Sequence, residues 1–218
     1  MSSDLKAFLI GWGIDALTGS LKRVNTKYVK VNLEESSDDI AYIDYAIKNG
    51  TITEIKVNID DKLIEKLKPS GWSSKLKGFV KSSDFDKILQ NLYDLREAGK
   101  RFTPPLKQVF RAFEECPVDK LRVIIIGQDP YPQLGVADGL AFSCGNTEKP
   151  QPSLRNMFEA IEQTVYQEFP TYQDPNLTRW ANQGVLLLNT ALTCQVDKIG
   201  SHYNIWNEFV MYVFDMLN

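Results

Sequence analysis

The sequence predicts an α/β fold in which helices cover a short central parallel sheet in three layers, α/β/α. Residues 123–126 and 185–188 are wholly apolar runs without alternation, which is typical of strands buried on both faces of a parallel sheet. Segments with helical periodicity lie between these two runs and after the second one. This order of elements is that of strand–helix–strand units, so we expect the two strands to be parallel.

Composition indicates one globular domain with a small extension, because the chain has 218 residues of which 43% are hydrophobic and 24% are charged. The net charge is -3 and the isoelectric point is near 5.3. This balance does not indicate a basic surface for nucleic acids. Any binding of phosphates must therefore depend on a local patch and on backbone amides at loops and helix starts.

Cysteine usage predicts a reducing compartment. Cys116, Cys144 and Cys194 are an odd number without Cys-x-x-Cys spacing, which argues against a disulfide framework, a zinc site or an iron–sulfur cluster. No apolar run reaches transmembrane length, and the first residues lack the pattern of a signal peptide. We therefore expect an intracellular protein of the cytoplasm, or of the nucleus in a eukaryote, without a membrane partner. Cellular, viral and phage origins all stay open.

The chain is predicted to divide at residue 68 into an N-terminal extension, residues 1–68, and a main domain, residues 69–218. At this point an amphipathic segment, residues 61–68, is followed by the turn-forming sequence Pro-Ser-Gly. Within the extension, the apolar residues 5–17 form either a short helix or a strip that docks a partner. We expect the extension to be a packing unit rather than a second activity.

The rest of the extension is predicted to be a strand–helix–strand unit. Residues 28–33 and 54–59 alternate between apolar and polar side chains, as strands do. Between them, Ser36 or Ser37 is expected to cap a helix that ends at Gly50.

The main domain is predicted to be rich in helices, and residues 139–142 are expected to add a second short strand after the first. Ser153 is expected to be the N-cap of its helix, because it follows a rigid proline-containing segment. The predicted helices are residues 72–80, 85–98, 106–115 and 154–167, a short helix ending near residue 183, and residues 205–217.

A candidate site lies where the two apolar strands end. Asp129 and Tyr131 follow the first strand in a turn that Pro130 and Pro132 stiffen, and Asn189 ends the second strand. Open α/β sheets place their ligand sites at the carboxyl ends of such strands. The alternative is an ordinary loop after a strand, without a ligand site. Two prolines around an acidic and an aromatic residue favour a ligand site.

Several motifs in this part of the chain resemble those of family 1 uracil-DNA glycosylases. Gly-Gln-Asp-Pro-Tyr at 127–131 and Gly-Leu-Ala-Phe-Ser at 139–143 resemble the family's water-activating loop and uracil pocket. The similarity covers about residues 71–218. Further matches are Pro-Ser-Leu-Arg-Asn at 152–156, Trp-Ala-Asn-Gln-Gly-Val-Leu-Leu-Leu-Asn at 180–189, Ser-His at 201–202, Phe-Thr-Pro-Pro at 102–105 and Val-Phe-Arg-Ala-Phe at 109–113.

The resemblance implies that the protein cleaves the bond between uracil and deoxyribose in DNA, as in base excision repair, without a cofactor or metal. Asp129 would orient a water and stabilise the cationic sugar of the transition state. Phe142 would stack on the uracil ring, and the amide of Asn189 would match O4 and N3–H of uracil but not cytosine. Tyr131 would exclude the methyl group of thymine, and Gln128 would lie near O2 and the water.

The resemblance also implies a set of contacts to DNA phosphates. Gln151, Pro152 and Ser153 would provide one of these contacts at the start of a helix, where backbone amides point outward. Ser201 and His202 would provide another.

Several of these residues have a plainer interpretation. Phe142 would be a core residue, Asn189 a turn former, and His202 a surface residue, since the family does not use the histidine at this position for catalysis. The family usually has histidine after the motif tyrosine, where this sequence has Pro132. This replacement removes a polar contact in the pocket and leaves the shape of the turn unchanged.

The predicted fold is incomplete at its C-terminal side. The helix at residues 205–217 is a crossover without a following strand, whereas the family continues with another strand and a His-Pro-Ser-Pro-type loop. We therefore expect the strand at residues 185–188 to lie uncovered at the sheet edge, which promotes association. Three explanations are open: the chain is a fragment, a partner protein or second chain covers the edge, or the N-terminal unit donates a strand from residues 28–33 or 54–59.

The missing loop supplies the family with a catalytic histidine and an apolar finger that enters the DNA stack. Loss of one preorganised hydrogen-bond donor costs about 2.7–4 kcal/mol of transition-state stabilisation. We therefore expect slow catalysis by this chain alone.

Two functions remain in competition. Retention of Asp129, Tyr131, Phe142 and Asn189 together favours a uracil-DNA glycosylase. The acidic balance and the lost loop favour a non-catalytic module of the same fold that binds uracil-containing DNA or a replication or transcription protein. Other chemistries fit less well, because the sequence has one histidine, no phosphate-cradling glycine motif and no Gly-x-Ser-x-Gly elbow.

Overall fold

The computed structural model describes residues 43–48, 51–57, 59–166 and 173–217, with side chains described for residues 60–165 and 173–217. These residues form a mixed α/β fold, as predicted. The strands are β1 (Ile43–Lys48), β2 (Thr51–Val57), β3 (Phe102–Thr103), β4 (Val123–Gly127), β5 (Val185–Asn189) and β6 (Cys194–Gln195). The α-helices are α1 (Ile59–Lys66), α2 (Ser73–Val80), α3 (Ser83–Glu97), α4 (Arg111–Glu115), α5 (Pro152–Ile161), α6 (Thr178–Ala181) and α7 (Tyr203–Leu217). Short 3-10 turns lie at Leu106–Gln108 and Val118–Lys120, and a π-helical turn lies at Glu162–Tyr166.

β1 and β2 form an antiparallel hairpin of their own, in which Lys48 lies opposite Thr51. The prediction of a helix ending at Gly50 is therefore wrong over the whole of β1. The strand predicted at residues 54–59 is confirmed as far as the end of β2. Asn49 and Gly50 separate the strands, and Asn-Gly is the dipeptide that two-residue hairpin turns prefer. This signal outweighs the interpretation of Gly50 as a helix end.

Because β2 pairs with β1, the prediction that residues 54–59 donate a strand to the central sheet is wrong. The other predicted donor, residues 28–33, lies outside the described residues. So do the apolar segment at residues 5–17 and the predicted helix caps Ser36 and Ser37.

β4 and β5 form the central sheet of the described part. They pair in parallel, from Val123 opposite Val185 to Gly127 opposite Asn189. Both strands lie where the sequence predicts them. Because the strands are parallel, their carboxyl ends meet at one edge, and the residues that follow Gly127 and Asn189 are neighbours.

The two strands differ in burial. β5 is buried from its second residue onward. β4 exposes Val123 by 50%, Ile124 by 37% and Ile126 by 42%. The predictions that β4 is buried on both faces and that β5 forms the uncovered edge are therefore both wrong.

Helices α4 and α6 pack on β5, and the loop after β4 reaches its outer edge. The Ala141 amide donates a hydrogen bond to the Leu187 carbonyl at 3.0 Å. The Thr190 amide donates to the Gly127 carbonyl and therefore points toward β4. Because successive backbone groups of a strand point to opposite sides, the Leu187 carbonyl points away from β4. Residues 139–142 make this contact without forming the predicted strand. Within the described ranges, no strand pairs with the outer edge of β4.

The core is organised around aromatic rings of α7. The ring of Phe209 meets those of Phe79, Phe110, Phe113 and Trp206 edge-on, at centroid distances between 5.3 and 5.9 Å. Edge-to-face pairs of this kind add to the stabilisation from burial. They fix α7 against α2 and α4, and the turn just before α7 reaches the candidate site.

The core also extends upstream of the predicted boundary at residue 68. Ile64 is 9% exposed and Leu67 is fully buried, and both belong to the main hydrophobic cluster. Helix α1 packs on α2. It therefore packs with the main domain, although the sequence places it in the extension.

Most predicted helices are confirmed to within a few residues, but two differ. Residues 106–115 form a 3-10 turn followed by α4 instead of one helix. α5 begins at Pro152 with Gln151 as its N-cap, so the prediction that Ser153 is the N-cap is wrong. Proline suits the first helical position, because its fixed φ is helical and its missing N–H has no partner there. The last residue of the predicted helix 154–167 lies outside the described residues.

In the described part of the chain, no helix is long and apolar enough to cross a membrane. Cys116, Cys144 and Cys194 all carry free thiols and are fully buried. The folded chain therefore shields all three thiols from solvent.

Candidate active site

The ends of the two central strands meet at Gly127 and Asn189. These residues are register partners, and Asn189 is 8% exposed. A β-carbon on Gly127 would lie 2.2 Å from Asn189 Oδ1 and 2.9 Å from the Ala141 β-carbon. Because glycine has no such atom, the Asn189 side chain has space to lie against the end of β4.

Asp129 lies in the turn that follows β4. Its Oδ2 accepts a hydrogen bond from the Gly200 amide at 2.6 Å. Gly200 has a φ of 73° and belongs to the turn before α7. On the same turn as Asp129, the Pro130 carbonyl accepts a hydrogen bond from the Cys194 thiol at 3.2 Å. These two bonds hold the Asp129 turn to the segment between β5 and α7, so the carboxylate has a fixed direction.

Two ionisable side chains, Cys194 and Tyr203, lie close enough to Asp129 to sense its charge. Burial, and secondarily the charge of Asp129, raises the pKa of the Cys194 thiol to about 12. The same two causes raise the pKa of Tyr203. Both side chains therefore keep their protons at physiological pH and remain hydrogen-bond donors.

Residues 138–145, which we call the Phe loop, place Phe142 beside this turn. Phe142 is partly exposed and has a φ of 64°, in the left-handed region that non-glycine residues rarely adopt. The loop is fixed on one side by the bond from Ala141 to β5. On the other side, a β-carbon on Gly139 would lie 1.9 Å from the Gln108 carbonyl, so this glycine permits a close contact with the 3-10 turn before α4.

Tyr131 connects the Phe loop to the start of α5. Its hydroxyl donates a hydrogen bond to the Phe142 carbonyl at 3.2 Å. Burial raises the pKa of Tyr131 to about 12, and the backbone amide of Leu154, in the first turn of α5, acts in the opposite direction. The structure thus brings Tyr131 and Phe142 together, as the site prediction requires.

The start of α5 is accessible. Gln151 is partly exposed, and Pro152 and Ser153 are exposed. No side chain caps the first turn of this helix. Uncapped backbone amides at a helix start are suited to anions. Contact of Gln151, Pro152 and Ser153 with a DNA phosphate stays a prediction.

Ser201 and His202 are placed differently. Ser201 is partly exposed, and its Oγ accepts a hydrogen bond from the Gln195 amide at 2.8 Å. His202 is 2% exposed, and its Nδ1 lies 2.9 Å from Thr193 Oγ1. Burial lowers the pKa of His202 to about 4, so the imidazole is neutral at physiological pH.

The prediction that His202 binds a DNA phosphate is therefore wrong, because a buried neutral imidazole neither reaches nor attracts a phosphate. The alternative of a surface histidine is equally wrong. A phosphate contact of Ser201 stays a prediction.

Sequence reasoning missed three residues that hold this site: Thr190, Cys194 and Gly200. Thr190 Oγ1 donates to the Gln128 carbonyl at 2.6 Å. These contacts join segments more than 60 residues apart. No local pattern in the sequence signals them.

The arrangement combines a carboxylate, a primary amide and two aromatic side chains at the carboxyl edge of the sheet. An amide that donates and accepts can bind the polar edge of a planar heterocycle, while an aromatic ring covers its face. A carboxylate can orient a water molecule or stabilise a positive centre. In the part of the chain that the structure describes, no group of three or more His, Cys, Asp or Glu residues could hold a metal ion.

Comparisons with known proteins point to the same region. The model of the uracil DNA glycosylase superfamily matches residues 113–212, which include both central strands. A uracil-DNA glycosylase of Acinetobacter baumannii (strain SDF) is 38% identical over 159 residues, which are 72% of this chain and 66% of that protein. A uracil-DNA glycosylase of Amoebophilus asiaticus (strain 5a2) is 47% identical over 116 residues, which are 53% of this chain and 52% of that protein. The chain thus spans between about half and two thirds of the length of these curated relatives.

A solved structure has a similar fold. The crystal structure of mimivirus uracil-DNA glycosylase superposes with a TM-score of 0.63 at 25% sequence identity. The match covers 71% of this chain and 58% of that one.

Proposed function

Because the chain belongs to the uracil-DNA glycosylase superfamily, we propose that it hydrolyses the N-glycosidic bond of a flipped-out deoxyuridine in DNA. The substrate partner would be uracil-containing DNA, and the role would be base excision repair. The observation that carries the proposal is the placement of Asp129, Tyr131, Phe142 and Asn189 at one edge of the sheet. A scaffold without chemistry does not require this combination.

In the proposed reaction, the extruded uracil would stack on Phe142 and present its polar edge to Asn189. The amide would donate to O4 and accept from N3–H, a pattern that cytosine reverses. Tyr131, held to the Phe loop by its hydroxyl, would leave no space for a 5-methyl group. The carboxylate of Asp129, fixed by Gly200, would orient the attacking water and stabilise the positive charge that develops on the sugar.

Residues 1–218 on their own would catalyse the reaction slowly. Their single histidine, His202, is buried, so these residues offer no imidazole to the leaving uracil anion. A missing donor of this kind lowers the rate by about 10²–10³. The start of α5 would hold the DNA backbone through its amides and Ser153, with Ser201 as a second contact.

Single-turnover release of uracil from a single-stranded oligonucleotide with one deoxyuridine tests the proposal. We expect measurable release by the unmodified chain, and at least a hundredfold loss in Asp129→Asn, because the neutral amide neither orients the water in the same way nor stabilises the cationic sugar. Asp119→Asn is the matched control, since Asp119 is exposed in the 3-10 turn before β4 and its loss should leave the rate unchanged. No release by the unmodified chain, or equal rates for Asp129→Asn, would refute the enzymatic function.

A second function is a non-catalytic module that binds uracil-containing DNA or a replication or transcription protein. The acidic net charge and the exposed strand β4 favour it, because an open apolar edge accepts a partner protein or a second chain. Binding of the oligonucleotide without release of uracil, unchanged in Asp129→Asn, would support this function. For either function we propose an intracellular location, which the three free thiols favour.

A further inference from the structure

We propose that Asp138, together with Arg111, is a positioning residue that fixes the Phe loop and thereby sets how strictly the site excludes substituents at C5 of uracil. The proposal rests on the proposed function for its consequence in catalysis, but not for its structural part. No motif named above includes Asp138, and Arg111 occurs only as the arginine of the Val-Phe-Arg-Ala-Phe match at 109–113.

The Asp138 carboxylate is the centre of the Phe loop. Asp138 is 1% exposed. Its Oδ1 accepts from the Leu140 amide at 3.2 Å, and its Oδ2 accepts from Ser143 Oγ at 2.7 Å and from the Gly145 amide at 2.9 Å. Three donors from one short loop thus converge on a single buried carboxylate, which closes the loop around it.

Arg111 of α4 balances the charge of this carboxylate. Its Nη1 lies 3.2 Å from Asp138 Oδ2 and donates to the Asp138 carbonyl at 3.0 Å. Its Nη2 donates to Thr178 Oγ1 at 2.5 Å, and its Nε donates to Glu115 at 3.2 Å. The guanidinium therefore ties the loop to α4 and α6. A buried ion pair of this kind is costly to break from one side, because the remaining charge is left without a partner.

The same network reaches the segment before α6. Ser143 Oγ accepts a hydrogen bond from the Leu177 amide at 3.1 Å, and the Cys144 amide donates to the Pro175 carbonyl at 3.0 Å. The Phe loop is thus fixed at its far end as well as at Ala141. Within it, Phe142 is held at a φ of 64°. Such a backbone conformation is unfavourable for a non-glycine residue and persists only where the surroundings enforce it.

Loss of the carboxylate would therefore release Phe142 first. Because the Phe142 carbonyl accepts the hydrogen bond of Tyr131, a relaxed loop also frees the ring of Tyr131. In the proposed function, Tyr131 is the residue that excludes the 5-methyl group. Asp138 thus affects specificity indirectly, through the positions of Phe142 and Tyr131.

Amide hydrogen exchange of Asp138→Asn tests the structural part without any substrate. Asparagine keeps the size of the side chain but removes its charge and leaves Arg111 with Glu115 as its remaining carboxylate partner. We expect the amides of Ala141, Ser143 and Gly145 to exchange at least tenfold faster, while those of α3 keep their rates. Leu92→Ala, a core change in α3 remote from the loop, is the control and should accelerate exchange without selecting these amides. Unchanged exchange of the three amides in Asp138→Asn would overturn the proposal.

Release of bases with growing 5-substituents tests the consequence for specificity. The substrates are oligonucleotides with one uracil, one 5-fluorouracil or one thymine. We expect Asp138→Asn to reduce the preference for uracil over thymine about tenfold or more, the scale on which a pocket distinguishes one methyl group. Leu92→Ala should change the overall rate at most, and leave the preference unchanged.

Ser143→Ala keeps the test valid if Asp138→Asn does not fold. It removes one donor to the carboxylate and retains the ion pair with Arg111, so we expect the same changes at smaller size. Faster exchange without a change in preference would overturn the assigned role in specificity. Absence of any base release by the unmodified chain would instead refute the proposed function and leave the exchange experiment to decide on Asp138.

Discussion

The Asn189 amide lies against Gly127 at the end of β4, with 8% of the residue exposed. We expect Asn189→Ala to lower the rate of uracil release about a hundredfold, because the polar edge of the base loses its partner in a desolvated site. The measurement is single-turnover release, with Asn182→Ala as a control at an exposed position. A loss in the control as large as in Asn189→Ala would contradict the role in recognition.

His202 predicts a specific dependence of stability on pH. In the unfolded chain its imidazole takes up a proton below about pH 6.5, whereas in the folded chain burial keeps it neutral down to about pH 4. The unfolded state therefore binds more protons in this window, and the free energy of unfolding falls as the pH is lowered through it. Above pH 6.5 both states are neutral, and the residue contributes no slope.

Urea unfolding between pH 7.5 and pH 4 measures this effect. We expect His202→Asn to have a shallower loss of stability between pH 6.5 and pH 4 than the unmodified chain, since the titrating group is gone. Carboxylates contribute equally to both proteins. Identical pH profiles would show that His202 takes up its proton over the same pH range in the folded and unfolded states, which contradicts its burial as a neutral group.

At the scale of elements, the pairing of β4 with β5 depends on the turn that precedes β5. Gly184 has a φ of 92°, and its carbonyl accepts from the amides of Arg122 and Val123. A β-carbon there would lie 1.9 Å from the Lys120 carbonyl. Gly184→Ala should therefore displace the start of β5 from β4.

Gly135→Ala is the matched control for this change. Gly135 also has a left-handed φ, of 80°, but a β-carbon there would meet nothing within 4 Å. We expect Gly135→Ala to lower the free energy of unfolding by about 1–2 kcal/mol, the cost of the conformation alone. Gly184→Ala should cost about 1–3 kcal/mol more, from the clash. Equal losses in urea unfolding would mean that the backbone at Gly184 moves freely.

The positions of the central strands could be predicted from the sequence, but their burial could not. An unalternated apolar run marks a strand of a parallel sheet wherever it lies. Which edge is covered depends on the bond from Ala141 to Leu187, between residues 46 positions apart, which no periodicity encodes. The hairpin of β1 and β2 was within reach of sequence reasoning, since Asn49-Gly50 is a strong turn signal.

In the candidate site, too, some residues could be predicted from the sequence and others could not. Asp129, Tyr131 and Asn189 follow strand ends and could be found from that placement alone. His202 could not be judged, because its burial depends on Thr193, whose hydroxyl also accepts a hydrogen bond from Trp206 at 2.7 Å. A lone histidine in a turn carries no sign of these partners.

At the scale of the whole molecule, the open edge of β4 predicts self-association. Val123, Ile124 and Ile126 are exposed on a strand whose outer edge no described strand covers. We expect Ile124→Lys to reduce association at tens of micromolar, because a lysine on an edge strand opposes pairing with another chain. Light scattering and sedimentation velocity provide the measurement.

Val165→Lys is the control for this prediction. Val165 is 66% exposed but lies in the π-helical turn, outside the strands that the structure describes. Val165→Lys removes a similar amount of exposed apolar surface without changing the edge of β4. Equal reductions in both variants would assign the association to general hydrophobicity rather than to β4.

The three buried cysteines can report on local opening of the structure, because each lies in a different part of it. Cys144 sits in the Phe loop, Cys194 behind the Asp129 turn and Cys116 under Trp72, whose indole donates to its carbonyl at 2.7 Å. A thiol reagent in excess can label each sulfur only when the surrounding structure parts. The order in which the three adducts accumulate, followed by mass spectrometry, would therefore reveal whether the candidate site opens locally before the rest of the chain unfolds.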